Sequence, residues 1–350
     1  MPSFRALNYH WQFSSRMTTA TAGLTEIQSA LGKDWTDLRS YIRETLDSEI
    51  DLLNKINEHL FLSSGKMLRP LLSLLVSKAC GASNPHISRV CAAASEIIHT
   101  ATLLHDDVVD ESLYRRGKIT VNALFSPGAS LLMGDFWLAR SIRLIITNKC
   151  DYRIIALFSQ TIEDLAEGEM LQMQRAEDCT TTFEDYKEII YRKTASLFIA
   201  AMCTAAVAEG QSEEVVEGVR EFAYKLGLCF QMRDDILDYS STVTDGKDVG
   251  SDLAERKITI PLLCAFENCP DREEEIRSLI REIDVTKGAD QTRNTEIIKK
   301  VRQFVLDNNG VQSAKSRLNG YISESVDSLG ILPDTPFRGY IASIAKILSM

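Results

Sequence analysis

From Leu24 onward, apolar residues recur at helical spacing along almost the whole chain. Between Trp35 and Leu60 they fall at Leu38, Ile42, Leu46, Ile50, Leu53 and Ile56, steps of three and four that predict one continuous helix with a single buried stripe. Leu68 to Cys80 and Val90 to Leu104 are apolar on nearly every side and read as central helices. Ser196 to Ala208 is apolar throughout but too short to span a bilayer, and reads as a buried helix. Turn chemistry separates these segments at Ser63-Ser64-Gly65, Gly81 to Pro85, Ser126-Pro127-Gly128 and Thr242 to Gly250. Thr182, with Asp185 three residues on, has the pattern of a helix N-cap. No alternating β-branched run bounded by turns occurs, and no Pro/Ser/Gly-rich linker divides the chain. The reading is one all-α domain over 24–350, with the more polar stretch from Asp271 to Met350 at its periphery. Residues 1–23 are set apart as a disordered or poorly ordered leader. Its first 16 residues carry two Arg and no acid, but a leader or an upstream start before Met17 is favoured over a transit peptide.

Composition narrows the class. The 350 residues are 45% hydrophobic and 25% charged, enough for a sizeable core and incompatible with wholesale disorder. A net charge of −10 argues against non-specific binding to nucleic acid or anionic membranes. No apolar run is long enough for a transmembrane helix. The eight cysteines form no CxxC pair and are scattered through apolar stretches, the usage of a cytoplasmic protein with reduced thiols.

Two aspartate clusters carry the chemistry. The first is Leu103-Leu104-His105-Asp106-Asp107-Val108-Val109-Asp110 and the second Arg233-Asp234-Asp235-Ile236-Leu237-Asp238. On a helix, Asp106 and Asp110 project together, as do Asp234 and Asp238. Both clusters end apolar helices, poor places for unpaired carboxylates, so something cationic must face them. Hard oxygen ligands, one or two per ion, describe magnesium with water and phosphate completing the shell. One such cluster could be a solvated helix end; two, each preceded by an apolar turn, are not explained that way. Basic residues stand near both. Arg115-Arg116-Gly117 follows Asp110, Lys66 to Pro70 opens a helix where an anion is favoured, Lys193-Thr194 lies in an apolar helix, and Lys247 and Lys257 flank the loop after the second cluster. Together they outline two diphosphate sites beside a magnesium cluster.

These motifs resemble the all-trans polyprenyl diphosphate synthases, long-chain type. The resemblance runs from about Leu46 to Leu332 through GKMLRP, HTATLLHDDVVDESLYRRG, GDFWLAR, EGEMLQ, YRKTASLF, FQMRDDILDY and GKDVGSDLAERKITIPL, in that order. It implies a single bundle of antiparallel helices around a central substrate cavity, as a homodimer. It further implies that Asp106, Asp107, Asp110, Asp234, Asp235 and Asp238 hold about three Mg2+ ions on an allylic diphosphate, farnesyl or geranyl. Arg115, Lys193, Gln231, Lys257 and Lys247 would contact that diphosphate, with Thr194 beside the departing oxygen. Lys66, Arg69, His99 and Arg116 would hold isopentenyl diphosphate. Glu169 and Gln172 match polar cavity positions. A lone histidine on an apolar helix is often a core residue, but His99 stands two turns before Asp106 on one face.

The implied reaction is a head-to-tail prenyl transfer. The allylic carbon–oxygen bond ionises, the isopentenyl double bond attacks the cation, and a proton leaves to the released diphosphate. Ala101 and Thr102, one turn before Asp106, are small where short-chain relatives commonly carry aromatics. This predicts an open tunnel and a product of about C35 to C50, with Phe158 a candidate floor or simply core, and quinone side chains as the destination. The loop after Gly117 departs from the family pattern, with Ile119 and Asn122 where Pro and His are common. A terpene cyclase would share the ionisation chemistry, but two full aspartate motifs with Lys66 and Arg69 favour chain extension. A non-catalytic partner subunit would be expected to lack some of these residues. A di-iron bundle would need a second ExxH pair beside Glu96 to His99.

Overall fold

The computed structural model describes residues 15–62, 65–240, 250–286 and 291–350. Helices α1 (Ser15–Leu31), α2 (Lys33–Leu46) and α3 (Asp51–Leu62) lead into α4 (Leu68–Ala79) and the 25-residue α5 (Pro85–Val109). A short hairpin, β1 (Tyr114–Arg115) with β2 (Lys118–Ile119), and α6 (Val121–Leu124) precede α7 (Pro127–Thr147) and α8 (Tyr152–Asp178). Then come α9 (Phe183–Ile190), a π turn (Tyr191–Ala195), α10 (Ser196–Ala208) and α11 (Glu213–Ser240). The chain closes with α12 (Ser251–Ala254), α13 (Ile260–Asn268), α14 (Glu273–Arg281), α15 (Gln291–Asp307), α16 (Gly310–Ser328) and α17 (Pro336–Ile347).

The all-α expectation is met, and the most apolar segments are the most central. Every residue of α10 from Ser196 to Val207 is buried, and this helix packs on α4, α5, α8 and α11. The helical run Phe183–Ala208 is long and apolar enough to cross a membrane by length and composition, but it lies mostly inside the bundle. All eight cysteines are free thiols. Caps fall where turn chemistry placed them: Asn84 accepts from the Ile87 amide ahead of Pro85, and Ser126 from the Ala129 amide ahead of Pro127. Thr182 and Asp185 form a full capping box. A second anchor fixes the start of α5. The Glu209 carboxylate, after α10, accepts from the Ser77, Ser83 and Ser88 hydroxyls at 2.6, 2.8 and 2.6 Å and from the Asn84 amide at 3.0 Å.

Four expectations need correction. The stripe from Trp35 to Leu60 is two helices, not one: the chain turns at Asp47 to Ile50, where Asn54 bonds back to Ser48. Ile50 is consequently 58% exposed despite its place in the repeat. Strand is present, though only two residues per arm; the Arg116-Gly117 turn has φ of 53° and 74°, both positive as a tight two-residue hairpin requires. The stretch after Asp271 is not peripheral: α16 packs on α11 and α13, α17 on α4, and Ala314, Leu318, Ile341 and Ala345 are fully buried. Its polar residues occupy the outer faces of amphipathic helices. Finally, α1 begins at Ser15, inside the span set apart as a leader; residues 1–14 lie outside the described residues.

Candidate active site

Helix α5 divides the site. Consecutive helical residues point about 100° apart, so Asp106 and Asp107 serve different sides. Asp107 is buried and faces a cleft that it lines together with Gly65, Met67, Glu96, His99, Arg115 and Arg116. Its carboxylate accepts from Arg115 Nε at 2.7 Å. Burial raises its titration and Arg115 opposes that rise. Asn122 Nδ2 donates to the Asp107 carbonyl at 3.2 Å, and His59 Nε2 lies 2.7 Å from the Ile119 carbonyl. The two positions that depart from the family pattern therefore help seat the hairpin.

This first cleft is basic. Arg69, in the first turn of α4, is buried with its guanidinium over the Phe198 ring at 4.6 Å, and its Nε has no hydrogen-bond partner. Burial, against partial relief from Glu96, lowers Arg69 to about 10. His99 is driven well below its ordinary value by burial and by Arg69, Arg116 and Arg115, so it is neutral at pH 7. Arg116 lies directly on Gly65: a β-carbon there would be 2.2 Å from its Nη1. Lys66, one residue from Gly65, is exposed.

The second cleft is lined by Gln172, Tyr186, Lys193, Thr194, Gln231, Asp235, Asp252 and Lys257, among others. A hydrogen-bonded chain crosses it. Thr194 Oγ1 donates to Gln231 Oε1 at 2.9 Å, Gln231 Nε2 donates to Asp235 Oδ1 at 2.8 Å, and the Tyr186 hydroxyl donates to Asp235 Oδ2 at 2.6 Å. Burial nevertheless raises Asp235 to about 6. Lys193 pairs with Glu169, and Lys257 with Glu255. Asp106 and Asp110 belong to this side. Asp106 rises to about 6 through burial and the negative Glu169, with Lys193 opposing. Asp110 is raised by burial and lowered chiefly by Lys257. Lys257 also acts on Asp252, which burial and the neighbouring Asp235 and Asp238 raise well above the usual carboxylate range. The two aspartate motifs thus share one electrostatic neighbourhood. Asp238 accepts from Ser251 Oγ and the Ser251 amide, while Asp234 is exposed. Among the described residues, no three His, Cys, Asp or Glu side chains converge tightly enough to hold a metal alone.

A scan against protein families matches the polyprenyl synthetase model over residues 50–300. The chain belongs to the polyprenyl synthetase family. It is thereby a prenyltransferase of the polyprenyl diphosphate synthase type. This synthetase is 35% identical over 327 residues to octaprenyl diphosphate synthase of Escherichia coli (strain K12), covering 93% of this chain and 98% of that protein. It is 32% identical over 343 residues to solanesyl-diphosphate synthase 2, chloroplastic, of Oryza sativa subsp. japonica, covering 95% and 82%. Its fold is similar to a crystal structure of a decaprenyl diphosphate synthase from Rhodobacter capsulatus (TM-score 0.84, 32% identity, 93% and 98% of the two chains covered). It also resembles a polyprenyl synthase from Caulobacter crescentus crystallised with calcium and isoprenyl diphosphate (TM-score 0.83, 31% identity, 93% and 97% covered).

Of the expected residues, Asp107, His99, Arg115 and Arg116 line the first cleft and Gln172, Lys193, Thr194, Gln231, Asp235 and Lys257 the second, while Lys247 lies outside the described residues. Ala101 and Phe158 are fully buried, and Thr102 is partly buried with its hydroxyl on the His99 carbonyl. Sequence reasoning passed over Tyr186 and Asp252, and weighed Glu96 only as part of a di-iron motif. Tyr186 carried a usable signal: it lies two helical turns before Thr194, on the same face. Asp252 had none, because only folding brings α12 back to the second motif.

Proposed function

We propose that this synthetase condenses isopentenyl diphosphate head-to-tail onto farnesyl or geranyl diphosphate, giving an all-trans product of about C35 to C50. Such a product suits quinone side chains, and the site of action proposed is the cytoplasm. The observation that carries the reading is the division made by α5. Asp107 with Arg115, Arg116 and His99 lines one cleft, with the buried Arg69 acting on His99 beside it, while Asp106 and Asp110 share the field of Lys193 and Lys257 in the other. Two anionic groups can therefore be held side by side.

The second cleft suits a divalent cation. Its donors are carboxylate oxygens, and burial, with smaller contributions from neighbouring carboxylates, raises Asp106 and Asp235 to about 6, so a cation beside them would relieve the cost of their charge. One or two carboxylates per ion, with diphosphate and water as the remaining ligands, is the habit of Mg2+. When bound, about three such ions on Asp106, Asp110, Asp234, Asp235 and Asp238 would supply Lewis-acid stabilisation of the leaving diphosphate.

The chain's own residues do the rest. Lys193 and Lys257, with Arg115, whose charge also acts on Asp106 from the neighbouring cleft, offer positive charge where negative charge builds as the allylic carbon–oxygen bond breaks. Thr194 stands beside the departing oxygen, its hydroxyl aimed by Gln231. Arg69, Arg116, Lys66 and neutral His99 hold isopentenyl diphosphate so that its double bond attacks the allylic cation. Asp107, expected among the metal ligands, is assigned instead to orienting Arg115, whose Nε it accepts from in the first cleft. The released diphosphate takes the proton, so no separate protein base is needed. Ala101 and Thr102 leave room for the growing chain, and the buried site keeps water from the cation.

A homodimer is the proposed working unit. Leu132 and Ile146 on α7, with Tyr152, Met170 and Met173 on α8, are large exposed apolar side chains that support it. The deciding assay incubates purified protein, Mg2+ and radiolabelled isopentenyl diphosphate with farnesyl or geranyl diphosphate, and reads chain length by chromatography. A long product that disappears with chelator is expected. Folded protein giving no product with either primer would overturn the reading in favour of a subunit that needs a partner.

A further inference from the structure

The π turn between α9 and α10 is where Lys193 and Thr194 enter the second cleft. Its signature bond runs from the Ser196 amide to the Tyr191 carbonyl, five residues back. The wider turn disturbs the ordinary ladder, and Ser196 Oγ takes up the Arg192 carbonyl at 2.6 Å. Such an insertion needs space on both sides, and two glycines supply it. At Gly168 of α8, a β-carbon would lie 2.7 Å from Arg192 Cβ, 2.9 Å from Lys193 Cγ and 3.1 Å from the Lys193 amide nitrogen. At Gly227 of α11, it would lie 2.4 Å from Ala195 Cα and 2.6 Å from Ala195 Cβ. The residues beside these glycines hold the functional groups. Glu169, next to Gly168, pairs with Lys193, and Gln231, one turn beyond Gly227, accepts from Thr194.

We infer that Gly168 and Gly227 are positioning residues for the allylic half-site: their bare α-carbons form the slot that locks the π turn and so sets where Lys193 and Thr194 present themselves. The inference rests on the proposed reaction for its kinetic readout only. A displacement of about 1 Å at such groups can cost on the order of 100-fold in rate.

The test compares Gly168→Ala and Gly227→Ala with Gly320→Ala, a helical glycine whose added β-carbon meets nothing within 4 Å. Expected for G168A is a rise of about 5- to 50-fold in KM for the allylic diphosphate with reduced kcat, KM for isopentenyl diphosphate unchanged, and circular dichroism as in wild type. G320A should leave both constants unaltered. If G227A does not fold, G168A, which presses mainly on side-chain carbons, still decides. Ala195→Gly placed in the G227A background removes one of its contacts and should recover part of the allylic KM. Calorimetric binding of inorganic diphosphate with Mg2+ gives a second readout that needs no turnover. Wild type that binds diphosphate without turning over would sink the proposed function but not this inference, provided G168A binds more weakly. Allylic KM, kcat and diphosphate binding within twofold of wild type in folded G168A, or both KM values rising in proportion, would overturn it.

Discussion

Asp106→Asn should make the metal-free protein more stable at pH 8 while sharply lowering its activity. In the unfolded chain Asp106 titrates near its ordinary 3.8; in the folded chain burial and Glu169 hold it at about 6. The folded state therefore grips the proton more tightly. The contribution to stability is fully present below about pH 4 and is lost as pH rises through about 6. A shift of about two units corresponds to about 3 kcal/mol that the folded, metal-free chain forgoes at pH 8. An asparagine side chain at this position has the same shape and no charge, so the variant avoids that loss. Urea melts in chelator should show the variant's midpoint raised by roughly 0.5–1 M at pH 8 and matching wild type near pH 4. Adding Mg2+ with inorganic diphosphate should raise the wild-type midpoint and leave the variant nearly unchanged. Turnover should fall on the order of 10²–10³-fold. A midpoint shift of equal size at both pH values, or a less stable variant at pH 8, would refute the reasoning: Asp106 would then not be a carboxylate held ionised at a cost that a cation relieves.

Gly65→Ala should leave folding almost untouched, because the obstructed atoms are the end of the Arg116 side chain. That guanidinium must swing away, and losing a charge-assisted contact worth about 1.5–3 kcal/mol should raise KM for isopentenyl diphosphate at least tenfold; an unchanged KM would remove Arg116 from that site. Ala101→Tyr should shorten the product on chromatography, and an unaltered length would place Ala101 outside the tunnel. Glu209→Ala leaves three serine hydroxyls and the Asn84 amide without their acceptor, and should cost roughly 3 kcal/mol or more at neutral pH. Burial raises Glu209, but these bonds outweigh it and hold the carboxyl below its ordinary 4.5. Its stabilisation is therefore present above that pH and lost as pH falls below it, so the gap between variant and wild type should narrow in acid melts.

The helical class, the central place of α4, α5 and α10, and the prenyltransferase family were legible in the residues alone. Each of these is local. Periodicity, caps such as Thr182 and runs such as Leu103 to Asp110 act within a few turns of one helix. Which way side chains face, and what they meet, came from packing. The 3.6-residue repeat continued through Asp47 to Ile50, so nothing in the pattern marked the turn between α2 and α3. The polar surface of 271–350 hid the apolar faces that α16 and α17 bury, because average composition does not record which side of a helix is wet. Within the first motif, spacing paired Asp106 with Asp110, and the family resemblance added Asp107 as an equivalent ligand. The helical step already set Asp107 apart from Asp106, but only the packed bundle, with Arg115 folded back by the hairpin, gave Asp107 its partner and its cleft. Asp252 reached Asp235 and Asp238, and Gly227 met the π turn, through contacts between elements far apart in sequence. Such contacts depend on how helices cross, which no single stretch of residues encodes.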